Sequence, residues 1–238
     1  MKKAIITAIL LFTLSVIYLQ AKFINSVAIG FSNFNQIEKN IYIDNSFKKI
    51  EIQNIKSLLT NAKKRIEDKF GKLISNPVII ICKTKEKSLK YGNSVGLAYI
   101  SPINNYVVIG YKGLNIDVIA HELLHAESAH RLGYITRQFK FPIWIDEGIS
   151  MQVDYRKKYN VDILSDSEIK RIQTLNSVNL FFSNEKQELI KNYQGSKYVV
   201  AKILSQYPDK NLFALLQKIK DGKNIKELFS IKTDKTHL

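Results

Sequence analysis

The feature that most constrains this chain is a pair of short stretches: Val118-Ile-Ala-His121-Glu122-Leu-Leu-His125-Ala126 and, about twenty residues later, Phe141-Pro142-Ile-Trp144-Ile-Asp146-Glu147-Gly148. On a helix a spacing of four residues is about 400° of rotation, so His121 and His125 project from one face, one turn apart, and both imidazoles can reach one metal ion. Glu122 is rotated about 100° from His121, too far round to be a ligand on the same turn but suited to contact a water at the metal as general base. A tetrahedral catalytic site takes three protein ligands and leaves one position open, so a third ligand must come from elsewhere, and Glu147 is the natural choice.

Other features of the chain favour a real site over a chance match. The sequence has only four histidines, and three of them, His121, His125 and His130, fall within ten residues. From Ile116 to Leu132 the apolar positions Ile116, Ile119, Ala120, Leu123 and Leu124 recur at helical spacing behind Asn115, a plausible N-cap. Pro142-x-Trp144-x-x-Glu147-Gly148 then reads as a proline start followed by a helix-compatible run carrying a carboxylate, with Trp144 as a core anchor.

The run Asp117 to Ala126 resembles the active-site helix of the gluzincin zinc metallopeptidases, the thermolysin-like enzymes among them, and Trp144-Ile145-Asp146-Glu147-Gly148 resembles their Trp-x-x-Glu-Gly glutamate helix. Gly96 to Ser101 and Asn105 to Tyr111 sit where that clan places an edge strand and its hairpin partner. The resemblance implies an α+β, zincin-like fold: a small mixed sheet with an antiparallel edge strand and the active-site helix in an upper lobe, and a mainly helical lower lobe. It further implies that Gly96 to Ile100 pairs with the backbone of a peptide or protein substrate, a task for which an exposed edge is physically suited. Tyr193-Gln-Gly-Ser196, followed by an apolar helix, resembles the tyrosine segment after the glutamate helix in several gluzincins. Tyr193 is therefore a candidate oxyanion donor; a packing role for it, and Tyr155 or Tyr159 in its place, stay open.

The departures from the family pattern are equally specific. Metzincins carry a third histidine ten residues after the first and a glycine at seven, where this chain has Arg131 and Ser128, and His130 is assigned no metal role. Thermolysin-like enzymes place an aspartate four residues after the ligand glutamate to orient a zinc histidine, where this chain has Met151. Loss of such a carboxylate weakens metal affinity by about tenfold or more unless another group substitutes. Asp117 is open to that role, or to that of a first-turn acid favoured by the helix dipole. No Gly-x-Met-Glu-Asn stretch precedes the site, which disfavours an aminopeptidase and makes an endopeptidase the default.

The 238 residues, 45% of them apolar, suit one domain with two subdomains. Met1-Lys2-Lys3 followed by the apolar run Ala4 to Leu19 reads as a secretory signal or a retained N-terminal membrane anchor over 1–21, with 22–45 as a linker and a catalytic domain over 46–238, divided near residue 134. The chain is then exported, to the periplasm, the periplasmic face of the inner membrane or beyond. The one cysteine, Cys82, excludes an intramolecular disulfide and, within Pro77 to Cys82, reads as a small core residue of a buried strand. The net charge of +15 comes from scattered lysines and reads as a solvated surface; export argues against a nucleic acid partner.

Along the rest of the chain, Phe47, Ile50, Ile55, Leu58, Leu59, Ala62, Ile66 and Phe70 describe a packing helix ending at Gly71, followed by a strand over Pro77 to Lys83 and a short polar piece through Gly92. Beyond Gly148 the pattern is helical: Ser165-x-x-Glu168 is a capping box, Pro208 and Asp209 separate two amphipathic runs, Asn224-x-x-Glu227 opens a last helix, and Thr233 to Leu238 is a tail. The implied chemistry is metal-assisted peptide hydrolysis, with Zn2+ on His121, His125 and Glu147 and with Glu122 passing the water proton to the leaving amine. Two other readings stand beside it: a catalytically silent zinc-binding module that holds peptides or envelope components in the same cleft, and a metal-free structural domain.

Overall fold

The structure, a computed structural model, describes residues 20–207 and 211–231. Its centre is a strand that is apolar on both faces. Val78–Ile81 (β3) is buried at every position, the continuous pattern expected of a parallel strand covered on two sides. It pairs in parallel with Ile41–Ile43 (β2) and with Tyr106–Ile109 (β5). Asn35–Glu38 (β1) and Gly96–Tyr99 (β4) add antiparallel edges, giving the five-stranded order β1-β2-β3-β5-β4. The fold is α+β with a mixed sheet and an antiparallel edge strand.

Alternation along the strands divides the core. Ile79, Ile81, Val107 and Ile109 face the long helix Lys49–Phe70 (α2) and the histidine helix Ile116–Leu132 (α4), while Val78, Ile80, Cys82 and Val108 form a second, smaller cluster. That second face is covered by Ala21–Val27 (α1) and Lys85–Tyr91 (α3). Phe23 of α1 stacks against Tyr99 and Tyr106, and the Ser26 hydroxyl donates to Tyr91 O.

Two expectations change here. Residues 22–45 are not a linker: they supply α1 and two strands, because the apolar second face of β3 requires a cover. The polar piece before Gly92 is the helix α3, started by Thr84, whose side chain accepts from Lys87 N. Burial pushes the Cys82 thiol up to about 12, in keeping with its core reading. The apolar run Ala4 to Leu19, Pro208, Asp209 and Thr233 to Leu238 lie outside the described residues. No helix among the described residues is long and apolar enough to cross a membrane.

The helix boundaries follow local chemistry. Glu51 reaches back to the Lys48 N–H to start α2, which ends at Gly71 with φ +96°. Asn115 caps α4 by accepting from Val118 N, and Gly133, at φ +78°, ends it. Every residue of α4 from Val118 to Ala129 is buried, since the helix is wedged between the sheet and the helical half of the chain. That half comprises Tyr134–Phe139 (α5), Ile143–Ser150 (α6), Asp166–Gln173 (α7), Val178–Phe181 (α8), Lys186–Ser205 (α9), Leu212–Lys220 (α10) and Ile225–Leu228 (α11). The Ser165–Glu168 capping box is present at the start of α7, and Asn224 caps α11 by accepting from Lys226 N. One apolar cluster runs without interruption from Ile41 in the sheet to Phe229, so the two halves share a core.

Candidate metal centre

His121 and His125 stand on the face of α4 that meets α6, and Glu147 comes from α6. Pro142 starts α6, and its first turn is anchored when Trp144 N–H donates to Leu175 O at 3.2 Å. Trp144 is buried behind it. Gly148 allows the helix to lie directly against α9, because a Cβ there would meet the Ser196 carbonyl oxygen at 2.5 Å. A close helix pair of this kind fixes the direction in which the neighbouring Glu147 points.

The three candidate ligand atoms form a compact triangle. His121 Nε2 and His125 Nε2 are 3.1 Å apart, and Glu147 Oε2 lies 3.3 Å and 3.4 Å from them. Tetrahedral ligation at about 2.0–2.1 Å gives ligand–ligand edges of about 3.3–3.4 Å, so the triangle has the dimensions of one face of such a site. Glu147 Oε2 is buried and accepts no hydrogen bond. Three electron-rich atoms facing one another in a desolvated site repel; one proton relieves one pair of them, whereas a cation satisfies all three. His121, His125 and Glu147 thus form a group that could hold a metal ion.

Charged neighbours stand behind the ligands. His125 Nδ1 lies 2.7 Å from Asp146 Oδ2, and that oxygen accepts from Arg137 Nη2. A carboxylate at Nδ1 selects the tautomer whose Nε2 lone pair faces the metal position. His121 Nδ1 lies 3.9 Å from Asp154 Oδ2, beyond hydrogen-bond distance. Asp154 is fully buried and grips Arg156 through both oxygens, with Nε at 2.9 Å from Oδ1 and 3.0 Å from Oδ2. Burial pushes the Asp154 carboxyl up, but Arg156 and His121 outweigh it and hold the group below its usual range. The same contest favours charge separation inside the site: Glu147 is held well below the carboxylate range against its burial by His125 and His121, and His125 is raised against its burial by Asp146 and Glu147.

Glu122 stands beside the triangle. Its carboxyl is raised by burial and by Glu147, partly offset by His121, His125 and Arg156. Burial first, then Glu147 and Glu122, raises the Tyr193 hydroxyl well above its ordinary value, so the phenol stays protonated at neutral pH. The Tyr193 ring centroid is 6.3 Å from that of His121, and the ring is packed by Tyr159, Phe181 and Phe182. All five groups line a cleft of about 950 Å³ whose walls include β4 and the exposed rings of Phe139 and Phe182. Strand β4 approaches so closely that a Cβ on Gly96 would meet Glu122 Oε1 at 2.7 Å.

The structure therefore gathers His121, His125, Glu147, Glu122 and Tyr193 in one cleft beside the edge strand and leaves His130 exposed and apart. Tyr155 and Tyr159 do not share that position: Tyr155 packs under Arg65, and Tyr159 supports the ring of Tyr193. Asp117 does not orient His121. Arg65 Nη1 holds it at 2.6 Å, and it accepts from Tyr155 N, because the first turn of α4 points it towards α2. Sequence reasoning missed Asp146 and Asp154. Asp146 had a signal, its place beside Glu147; Asp154 had none, since an irregular turn brings it to 3.9 Å from His121. No family model, curated protein or solved structure matches the chain.

Proposed function

We propose that this chain is a zinc-dependent metallopeptidase of the gluzincin type, with a zincin-like fold, acting as an endopeptidase outside the cytoplasm. The observation that carries the reading is the His121–His125–Glu147 triangle, of tetrahedral dimensions, with Glu122 beside it in a cleft walled by an antiparallel edge strand. When bound, Zn2+ supplies Lewis acidity for a carbonyl oxygen and lowers the pKa of water. Glu122 takes the proton of the attacking water and delivers it to the leaving amine nitrogen. Its raised proton affinity brings it closer to the working pH of a general base. The substrate backbone pairs with Gly96 to Tyr99, which holds the scissile bond over the site. Tyr193, still protonated, donates its hydroxyl hydrogen to the developing oxyanion.

The test is metal content and cleavage of a peptide library by the purified full chain. Wild type is expected to hold one zinc per chain and to cut. Glu147→Ala should lose the metal, and Glu122→Gln should keep it while losing at least about a hundredfold in turnover. Turnover retained by Glu122→Gln would overturn the assignment. Zinc bound by wild type without cleavage of any peptide would leave the silent peptide-binding module.

A further inference from the structure

Three cationic side chains from two helices converge on three successive carbonyl oxygens of one turn. Lys69 Nζ donates to Gln152 O at 2.6 Å, Arg65 Nη1 to Val153 O at 2.9 Å and Lys197 Nζ to Asp154 O at 2.8 Å. The turn is the 3-10 segment Met151–Val153 with Asp154, and it continues α6 directly. Carbonyls at a helix C-terminus lack intrahelical donors and carry the negative end of the dipole, so one cation there is ordinary. Three are not, since they must share a small volume. Much of the Lys69 stem is exposed, yet its ammonium is turned inward, and burial together with Lys197 holds it below its usual value. Lys197 is likewise lowered, by burial first and also by Arg156, against the pull of Asp154 and Asp117.

The turn so held carries Asp154, whose fully buried carboxylate accepts from Arg156 and lies 3.9 Å from His121 Nδ1. The position where thermolysin-like enzymes keep a histidine-orienting aspartate holds Met151 here, buried in the core. Asp154 comes to 3.9 Å from His121 Nδ1, where the chain tightens after Ser150 and is then held. Gln152 adds to that hold, its amide donating to Gly148 O and Lys197 O at 2.9 Å each. We propose that Arg65, Lys69 and Lys197 are positioning residues of the metal centre: they clamp the turn Met151 to Asp154 so that Asp154 stands behind His121, and so set the affinity for the metal. The proposal rests on reading His121, His125 and Glu147 as that centre.

The experiment is a competition titration of the full chain with Zn2+ against a chromogenic chelator, alongside melting of the metal-free protein. Lys69→Met and Lys197→Met are each expected to weaken zinc binding about tenfold, and Asp154→Asn by about ten- to a hundredfold, the range for groups that orient a ligand. Lys69→Arg should restore binding, and Lys64→Met, one turn away in an exposed pair with Asp68, should leave it unchanged. A merely structural role would lower the melting temperature and add to every other loss. The clamp instead acts through one carboxylate, so Lys69→Met should cause no further loss in the Asp154→Asn background. Unchanged affinity in the lysine variants, or full additivity with Asp154→Asn, would overturn the proposal while the metal centre stood. Wild type that binds no zinc would remove the metal centre, and the clamp with it.

Discussion

At Gly96 the edge strand comes close to the proposed base, and the missing side chain is what permits it. A methyl group there would press on Glu122 Oε1 at 2.7 Å and on Val118 Cγ1 at 2.8 Å. Gly96→Ala should therefore displace the base while leaving the three metal ligands in place. We expect zinc content to be retained and kcat/KM to fall by about a hundredfold, the scale of a misplacement of about 1 Å; equal activity in the variant would mean that the strand yields instead. Tyr193 is a cleaner truncation, because Tyr159, Phe181 and Phe182 pack its ring and Phe would keep that packing. Tyr193→Phe should lower kcat by about a hundredfold with KM little changed, as for removal of an oxyanion donor. A fall confined to KM would assign the hydroxyl to substrate binding.

At the scale of elements, the site depends on how α6 lies between α4 and α9. Gly148 faces the Ser196 carbonyl and Val200 Cγ2, each 2.5 Å from where a Cβ would be. Backbone cannot move aside as a flexible side chain does, so Gly148→Ala must separate the two helices. A destabilisation of about 1–3 kcal/mol is expected, read as a lower melting temperature together with weaker zinc binding as Glu147 shifts. The elements themselves were unequally legible. The helices α2 and α4 declared themselves by apolar periodicity, α2 with its end at Gly71 and α4 with its cap at Asn115. Strands β1 and β2 did not, being four and three residues long, with β1 mostly exposed. Only the sheet they complete makes them strands.

For the whole molecule, the metal position joins parts that are distant in sequence: α4 belongs to the sheet's core, and α6 to the helical half that packs on it. An ion bound by both halves favours the folded chain, in which the three ligands meet, over the unfolded one. At zinc one hundredfold above its Kd the folded state should gain about 2.7 kcal/mol, which for a chain of this size is a rise in Tm of about 5–10 °C. Glu147→Ala should abolish the shift without lowering the metal-free Tm by a similar amount. A zinc-dependent rise that survived in Glu147→Ala would place the ion elsewhere.

The amino-acid sequence by itself determined the candidate ligand set, since a four-residue spacing on a helix puts His121 and His125 on one face and a proline-started run presents Glu147. It also determined the Asn115 cap of the histidine helix and the buried character of Val78 to Cys82, all consequences of interactions within a few residues. Only the tertiary structure decided that Asp117 turns to Arg65, that Asp154 comes to 3.9 Å from His121, and that residues 22–45 complete the sheet. The reason is range. Periodicity and capping are local, whereas the partner of a buried charge and the cover of an apolar sheet face are chosen by whatever the fold brings against them.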